Sequence, residues 1–164
     1  MSSHPDINQI SDHLFTYPDH NVFAIIDGAS ANGLQSQLKI NPCESCCLFS
    51  GELPPELHKA APFLIKFEHP DPLLAWLLQG WGKHYGIYAT VVKTIGFKAV
   101  RKHFRTFLLV DAPDQSKMYF RYYDPRILRV YLPTCNPDEA KIVFGPVHSY
   151  ICEGEQNQVI KFWA

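Results

Sequence analysis

No stretch of this sequence is apolar for long enough to cross a bilayer as a helix, so membrane insertion is not expected. The opening residues, MSSHPDINQISDHLF, lack the basic start and apolar segment of a secretory signal, and a cytoplasmic protein is expected. Neither sign of charge is in excess. Fifteen Lys and Arg against 16 Asp and Glu leave a formal net charge of −1, so no global field draws the chain to nucleic acid or an anionic membrane. Charged residues make up only 19% and hydrophobic ones 46%, which argues against disorder. The motifs of common chemistries are missing too: there is no H-E-x-x-H, G-x-S-x-G, Walker loop or G-x-G-x-x-G. DGASANG, 27–33, carries Gly28 and Gly33 after a strand, but too few glycines for a phosphate loop, and an ordinary strand-to-helix turn is expected. Neither an internal repeat nor a low-complexity segment is present.

The cysteines do not form a disulfide framework. There are five, an odd number, and Cys43, Cys46 and Cys47 crowd into CESCC. One C-x-x-C without a second pair is half a zinc site, and a redox C-x-x-C would open a helix, whereas this one leads into a strand. Reduced structural thiols are expected, with no metal and no cofactor.

What is present is a chain of 164 residues, one domain's worth, with 13% aromatics spread along its length. Residues 1–18 are polar and read as an N-terminal arm, with the domain proper over 19–164. NVFAIIDG, 21–28, is a β-branched apolar run that stops at Asp-Gly, the pattern of a buried strand. A helix over 30–40 and a strand over 46–51 follow, then a helical turn and a strand over 63–68. In DPLLAWLLQGWG, 71–82, Leu73, Leu74, Leu77, Leu78 and Trp81 recur at helical spacing. A strand over 85–92 precedes a helix with Phe97, Val100 and Phe104 on one face. PDQS, flanked by FLLVDA and KMYFRYYD, predicts a hairpin spanning 107–124, and VHSYICEG with QVIKFWA predicts a terminal one. The fold class expected is α+β: a single domain with a mixed central sheet packed by helices and hairpins in its C-terminal half.

FRYYDPRILRVYLP, 120–133, gathers the residues most suggestive of a site. Strand alternation through KMYFRYYD puts Met118, Phe120 and Tyr122 on one face and Tyr119, Arg121 and Tyr123 on the other. Asp124 then precedes Pro125. An Asp side chain accepts from the free N–H groups of a helix start, and Pro suits the first helical position. Asp71-Pro72 and Asn136-Pro137 repeat the device, the latter with Glu139 in capping-box register. Asp124 is therefore expected as a structural helix cap. Arg121 and Arg126 either pair with that Asp or contact a partner, and with Tyr123 and Arg129 they are the candidate partner-binding residues. A basic run of Lys93, Lys98, Arg101, Lys102, His103 and Arg105 is open to two readings, a solvated helix face or a surface for an acidic partner.

Several stretches taken in order resemble a known family. They are FAIIDGA, 23–29; CLFSGELPPELHKAAPFLIKF, 47–67; WLLQGWGKHYGIY, 76–88; VRKHFRTFLLV, 100–110; FRYYDPRILRVYLP, 120–133; and FGPV, 144–147. Together they resemble the effector-adaptor (effector chaperone) family of bacterial type VI secretion systems, long catalogued as a domain of unknown function. Arg121, Asp124 and Arg126 match that family's arginine–Tyr–Tyr–Asp–Pro–Arg signature. The resemblance implies a protein that is not an enzyme. It implies that the chain binds a cognate toxin, often near the toxin's N-terminus, and loads it onto the secretion spike protein. Two rivals follow from the residues: a small thiol- or zinc-dependent hydrolase built on Cys43, Cys46 or Cys47 with a histidine, and a toxin-neutralising, immunity-like binding protein.

Overall fold

The apolar run at 22–26 is the centre of the molecule. In a computed structural model that describes residues 4–164, Val22, Phe23, Ala24, Ile25 and Ile26 are all buried. A strand buried on both faces has no polar side to alternate with, which is why the run reads as continuous. The elements in chain order are α1 (Ile7–Leu14), β1 (His20–Asp27), α2 (Leu34–Ile40), β2 (Ser45–Cys47), α3 (Pro55–Ala60), β3 (Pro62–Phe67), α4 (Pro72–Gln79) and β4 (Gly86–Val92). There follow α5 (Phe97–Thr106), β5 (Leu109–Asp111), β6 (Lys117–Tyr119), α6 (Pro125–Tyr131) with a 3-10 turn over Leu132–Thr134, α7 (Pro137–Phe144), β7 (Ser149–Glu153) and β8 (Val159–Trp163).

Six strands form one sheet in the order β2-β3-β1-β4-β7-β8, and β5 and β6 form a separate two-stranded sheet. The class is α+β, with a central sheet packed by helices and hairpins late in the chain. Within the sheet every pairing is antiparallel, so among the described residues it is not mixed in strand direction. The β1–α2–β2 run sends β2 to the edge, antiparallel to β3.

Two cores lie on the two faces. Phe23 and Ile25 of β1 join Ile87, Ala89, Tyr150 and Cys152 against Val100 and Phe104 of α5, Leu128 of α6 and Val143 of α7. Val22, Ala24 and Ile26 point the other way and join Ile65, Tyr88 and Ile151 against α1, α2 and α4. Each fully buried Leu, Ile or Phe contributes about 1.5–3 kcal/mol, so both faces supply stabilisation of similar kind.

Three elements depart locally from expectation. Within the N-terminal arm residues 7–14 are helical: α1 has a capping box between Asp6 and Gln9, and it buries Ile10 and Leu14. Its two apolar anchors, four residues apart, are enough for a helix that packs on a ready-made core. β2 is short and begins at Ser45, one residue earlier than expected. In the hairpin, strand alternation stops at Tyr119, because Tyr122 and Tyr123 are successive and both buried. The backbone turns there, with Asp124 N–H donating to Arg121 C=O at 3.1 Å.

Gly86 opens β4 and pairs with Ile26 of β1. A Cβ there would collide with the Ile25 carbonyl oxygen and lie 2.9 Å from Ile26 Cα. Backbone in the sheet centre cannot retreat. Gly86→Ala is expected to lower stability by more than about 2 kcal/mol, read as a shifted urea midpoint with an unchanged slope.

Candidate functional site

The expected residues meet at one end of the sheet, where β1 runs out. Asp27 closes β1 with its side chain on the α5–α7 face, by alternation from Phe23 and Ile25. It is 2% exposed. Its Oδ1 accepts from Ala29 N–H at 3.0 Å, and its Oδ2 accepts from Ser30 Oγ at 2.9 Å. DGAS is thus an Asx-type turn that satisfies a buried carboxylate, as an ordinary strand-to-helix turn should. Gly28 is required there, since a Cβ would run into the Lys59 carbonyl oxygen.

The remaining demand of Asp27 is met from the far side of the sequence. Arg121 donates from a guanidinium NH2 to Asp27 Oδ2 at 2.7 Å, across 94 positions. Burial works against the charge of Arg121, but the surrounding groups, Asp27 foremost with Tyr123 and Asp124, together raise the guanidinium above its ordinary range. Arg126 takes the other candidate partner. Its Nε donates to Asp124 Oδ1 at 3.0 Å and its NH2 to Asp124 Oδ2 at 2.8 Å, a two-pronged grip. Asp124 Oδ1 also accepts from Arg126 N–H at 2.9 Å, in the N-cap position of α6. Arg129 donates to the Glu153 carbonyl oxygen at 3.0 Å. Tyr123 lies in the core rather than on the surface, and burial, then the Asp27 charge, raise its phenol.

Glu153, at the end of β7, is a buried carboxylate that the sequence gives no reason to single out. It turns to the opposite face and accepts from the backbone N–H groups of Gly82 at 2.6 Å and His84 at 2.8 Å. His84 Nδ1 also lies 2.8 Å from Glu153 Oε1. A non-glycine residue at φ 62°, His84 is held in the left-handed region by this anchoring.

The corner is therefore a set of charges that answer one another. Its guanidinium heads are partly open: the side chains of Arg121 and Arg126 are 47% and 52% exposed. A Glu at position 126 would face Asp124, so charge reversal there disturbs the cap as well as any contact.

A second feature lies beside the β5–β6 hairpin. Phe107, Val110, Phe120, Tyr131, Ile142 and Val143, with Glu139 at the rim, line an apolar groove of about 330 Å³. Among the described residues the hairpin strands pair only with each other, and Leu109, Val110, Met118 and Tyr119 are exposed.

The family described as a domain of unknown function, DUF4123, matches residues 22–141. The chain belongs to this family. No curated protein and no solved structure matches it. The DUF4123 match begins within β1 and ends within α7, so Asp27, Arg121, Tyr123, Asp124, Arg126, Arg129 and the residues of the apolar groove other than Ile142 and Val143 lie inside it. Glu153 lies outside.

Burial sets the character of four of the five thiols of this DUF4123 protein. All five cysteines are free. Burial pushes the Cys43, Cys46 and Cys47 thiols up, the opposite of what a nucleophile needs. Cys152 is pushed up to about 12. Among the described residues, no three His, Cys, Asp or Glu side chains converge as a metal site requires.

Asp124 links the corner to pH. Burial pushes its carboxyl up, but the hydrogen bonds and charge of Arg126 outweigh this and hold it below its ordinary range. A carboxylate depressed in the folded state stabilises above its unfolded pKa, and the stabilisation is lost as pH falls through the folded value. Asp124→Asn is expected to cost about 1–2 kcal/mol at neutral pH. The gap from wild type should stay constant above about pH 5 and narrow below about pH 4, measured by urea unfolding across pH. A gap that widens in acid would contradict the ion pair.

Proposed function

We propose that this protein is a non-enzymatic adaptor of a bacterial type VI secretion system, binding a cognate toxin in the cytoplasm and loading it onto the spike protein. The observation that carries the reading is the open apolar groove beside a hairpin whose outward side chains are exposed. A protein that holds another chain's apolar segment needs such a surface, concave and rimmed by polar groups. Membership of DUF4123 supports it, because five of the six ordered stretches that resemble the effector adaptors fall inside the matched residues. The direction of the thiol shifts favours this reading over a thiol hydrolase.

The test is co-expression with the toxin encoded beside it. A stable complex is expected, mapping to a limited toxin segment on truncation. Deleting the gene should abolish secretion of that toxin while other cargo still leaves the cell. Undiminished secretion of that toxin from the deletion strain would overturn the reading. Should the deleted strain instead be poisoned by its own toxin while secretion continues, the protein is a neutralising partner.

A further inference from the structure

Between residues 72 and 110 there is no Asp or Glu, yet there are six Lys and Arg, in a chain whose net charge is −1. Four of the six lie on α5 at 98, 101, 102 and 105, the i, i+3, i+4, i+7 spacing of a single helical stripe. The stripe flanks the face that buries Val100 and Phe104. Lys98 and Lys102 are exposed, and Arg101 and Arg105 are half-buried.

Like charges at this spacing repel, and the chain does little to offset them. Among the described residues no carboxylate stands at salt-bridge distance from any of the four. Arg105 is fixed by neutral groups: its Nε donates to Leu48 C=O at 3.2 Å and its NH2 to Cys47 C=O at 2.9 Å. These bonds hold the guanidinium in place without cancelling its charge. They also anchor the stripe to the end of edge strand β2. Phe49, next after Leu48, has its ring against Tyr119 of the hairpin at a centroid distance of 4.7 Å. Tyr119 is 56% exposed, and Leu109, paired opposite it, is 48% exposed. The basic stripe therefore leads into an apolar patch.

We infer that Lys98, Arg101, Lys102 and Arg105, continued by Tyr119 and Leu109, form the docking surface for an acidic segment of a protein partner, carboxylates followed by apolar side chains. Under the adaptor reading, on which this inference rests, that partner is the toxin. Charge complementarity selects the carboxylates, since four cations with no carboxylate at salt-bridge distance among the described residues keep a site for anions open. The apolar end selects a protein segment. Nucleic acid fits less well: the stripe is about 10 Å long by helical rise, whereas affinity for a phosphate backbone grows with the number of phosphates neutralised. His103 adds no fifth charge, because burial pushes it down to about 4 and its Nε2 is engaged with Val143 C=O at 3.0 Å.

The experiment compares wild type with Lys98→Glu/Arg101→Glu/Lys102→Glu, leaving Arg105 to hold β2, using the co-expressed full-length toxin as probe. The variant is expected to bind about tenfold or more weakly. Wild-type affinity should fall between about 50 and 300 mM NaCl, and the variant's should be nearly flat. Lys39→Glu/Lys59→Glu, in a separate polar pocket, is the charge-reversal control elsewhere on the surface and should bind as wild type does. If the triple variant fails to fold, Lys98→Gln/Lys102→Gln, confined to exposed positions, carries the test and should bind about threefold more weakly. A folded triple variant with wild-type affinity and salt dependence overturns this surface and leaves the adaptor reading standing. No toxin binding by wild type overturns the adaptor reading and this inference with it. Tight binding of a single-stranded DNA oligonucleotide that displaces the toxin would make the stripe a nucleic-acid site and overturn the inference.

Discussion

A carboxylate at the buried end of the central strand has to be answered, and the contact that answers it organises that end of the molecule. Asp27 closes β1, where the strand is covered on both faces. An ionised group there is costly unless it is paired and hydrogen-bonded. Two of its bonds come from its own turn, through Ala29 and Ser30, and the cation comes from Arg121. That single long-range pair fixes where residues 120–124 run. With Arg121 held outward against Asp27, the chain turns, and Tyr122 and Tyr123 enter the core side by side. Tyr122 then donates to the Phe104 carbonyl oxygen at 2.7 Å, and Asp124 arrives at the start of α6 with its side chain free to cap it.

The corner uses a second pair for a local task. Arg126 grips the same carboxylate that caps its own helix, so the charge of Asp124 is satisfied within two residues. Asp27 and Asp124 therefore divide the arginines between them, one binding distant parts of the chain together and one finishing a helix. Arg129 goes to a backbone carbonyl of β7 and ties α6 to the sheet. The signature that looks most like a recognition motif is, in its contacts, a joint between α6, β1 and β7.

How much of this was legible follows the range of each interaction. Caps were readable because cause and effect lie two or three residues apart: Asp71 accepts from Leu74 N–H, Asn136 pairs reciprocally with Glu139, and Asp124 accepts from Arg126 N–H. β1 and α4 were readable because their apolar patterns are strong enough to need no context. The Asp27–Arg121 pair was not, because nothing local in DGAS or FRYYD says that these stretches meet. A sign was present in an Asp ending an otherwise apolar strand, which marks a buried carboxylate in need of a cation, though not which one. Glu153 carried less, since its partners are backbone N–H groups of Gly82 and His84 and leave no mark in side-chain chemistry. The alternation through KMYFRYYD misled because it assumed the strand continued, whereas two adjacent tyrosines both had core volume to fill.

The same contacts separate arginines that build the molecule from those left to act on something else. Arg121 and Arg126 are half exposed and would pass for surface residues by accessibility alone, yet each is committed to a carboxylate within its own fold. Recruiting either to a partner means competing with a buried acid that would then stand unpaired, at a cost of several kcal/mol. On α5 the opposite holds. Arg101, Lys98 and Lys102 face no acid among the described residues, and Arg105 is oriented by carbonyls that leave its charge intact. A partner's carboxylate meeting that stripe displaces no internal pair and relieves repulsion already present. The energetic distinction lies in what each cation must give up. By that measure the conspicuous motif at 121–126 holds the fold, and the plainer basic helix beside an open hairpin is the surface with something to gain from contact.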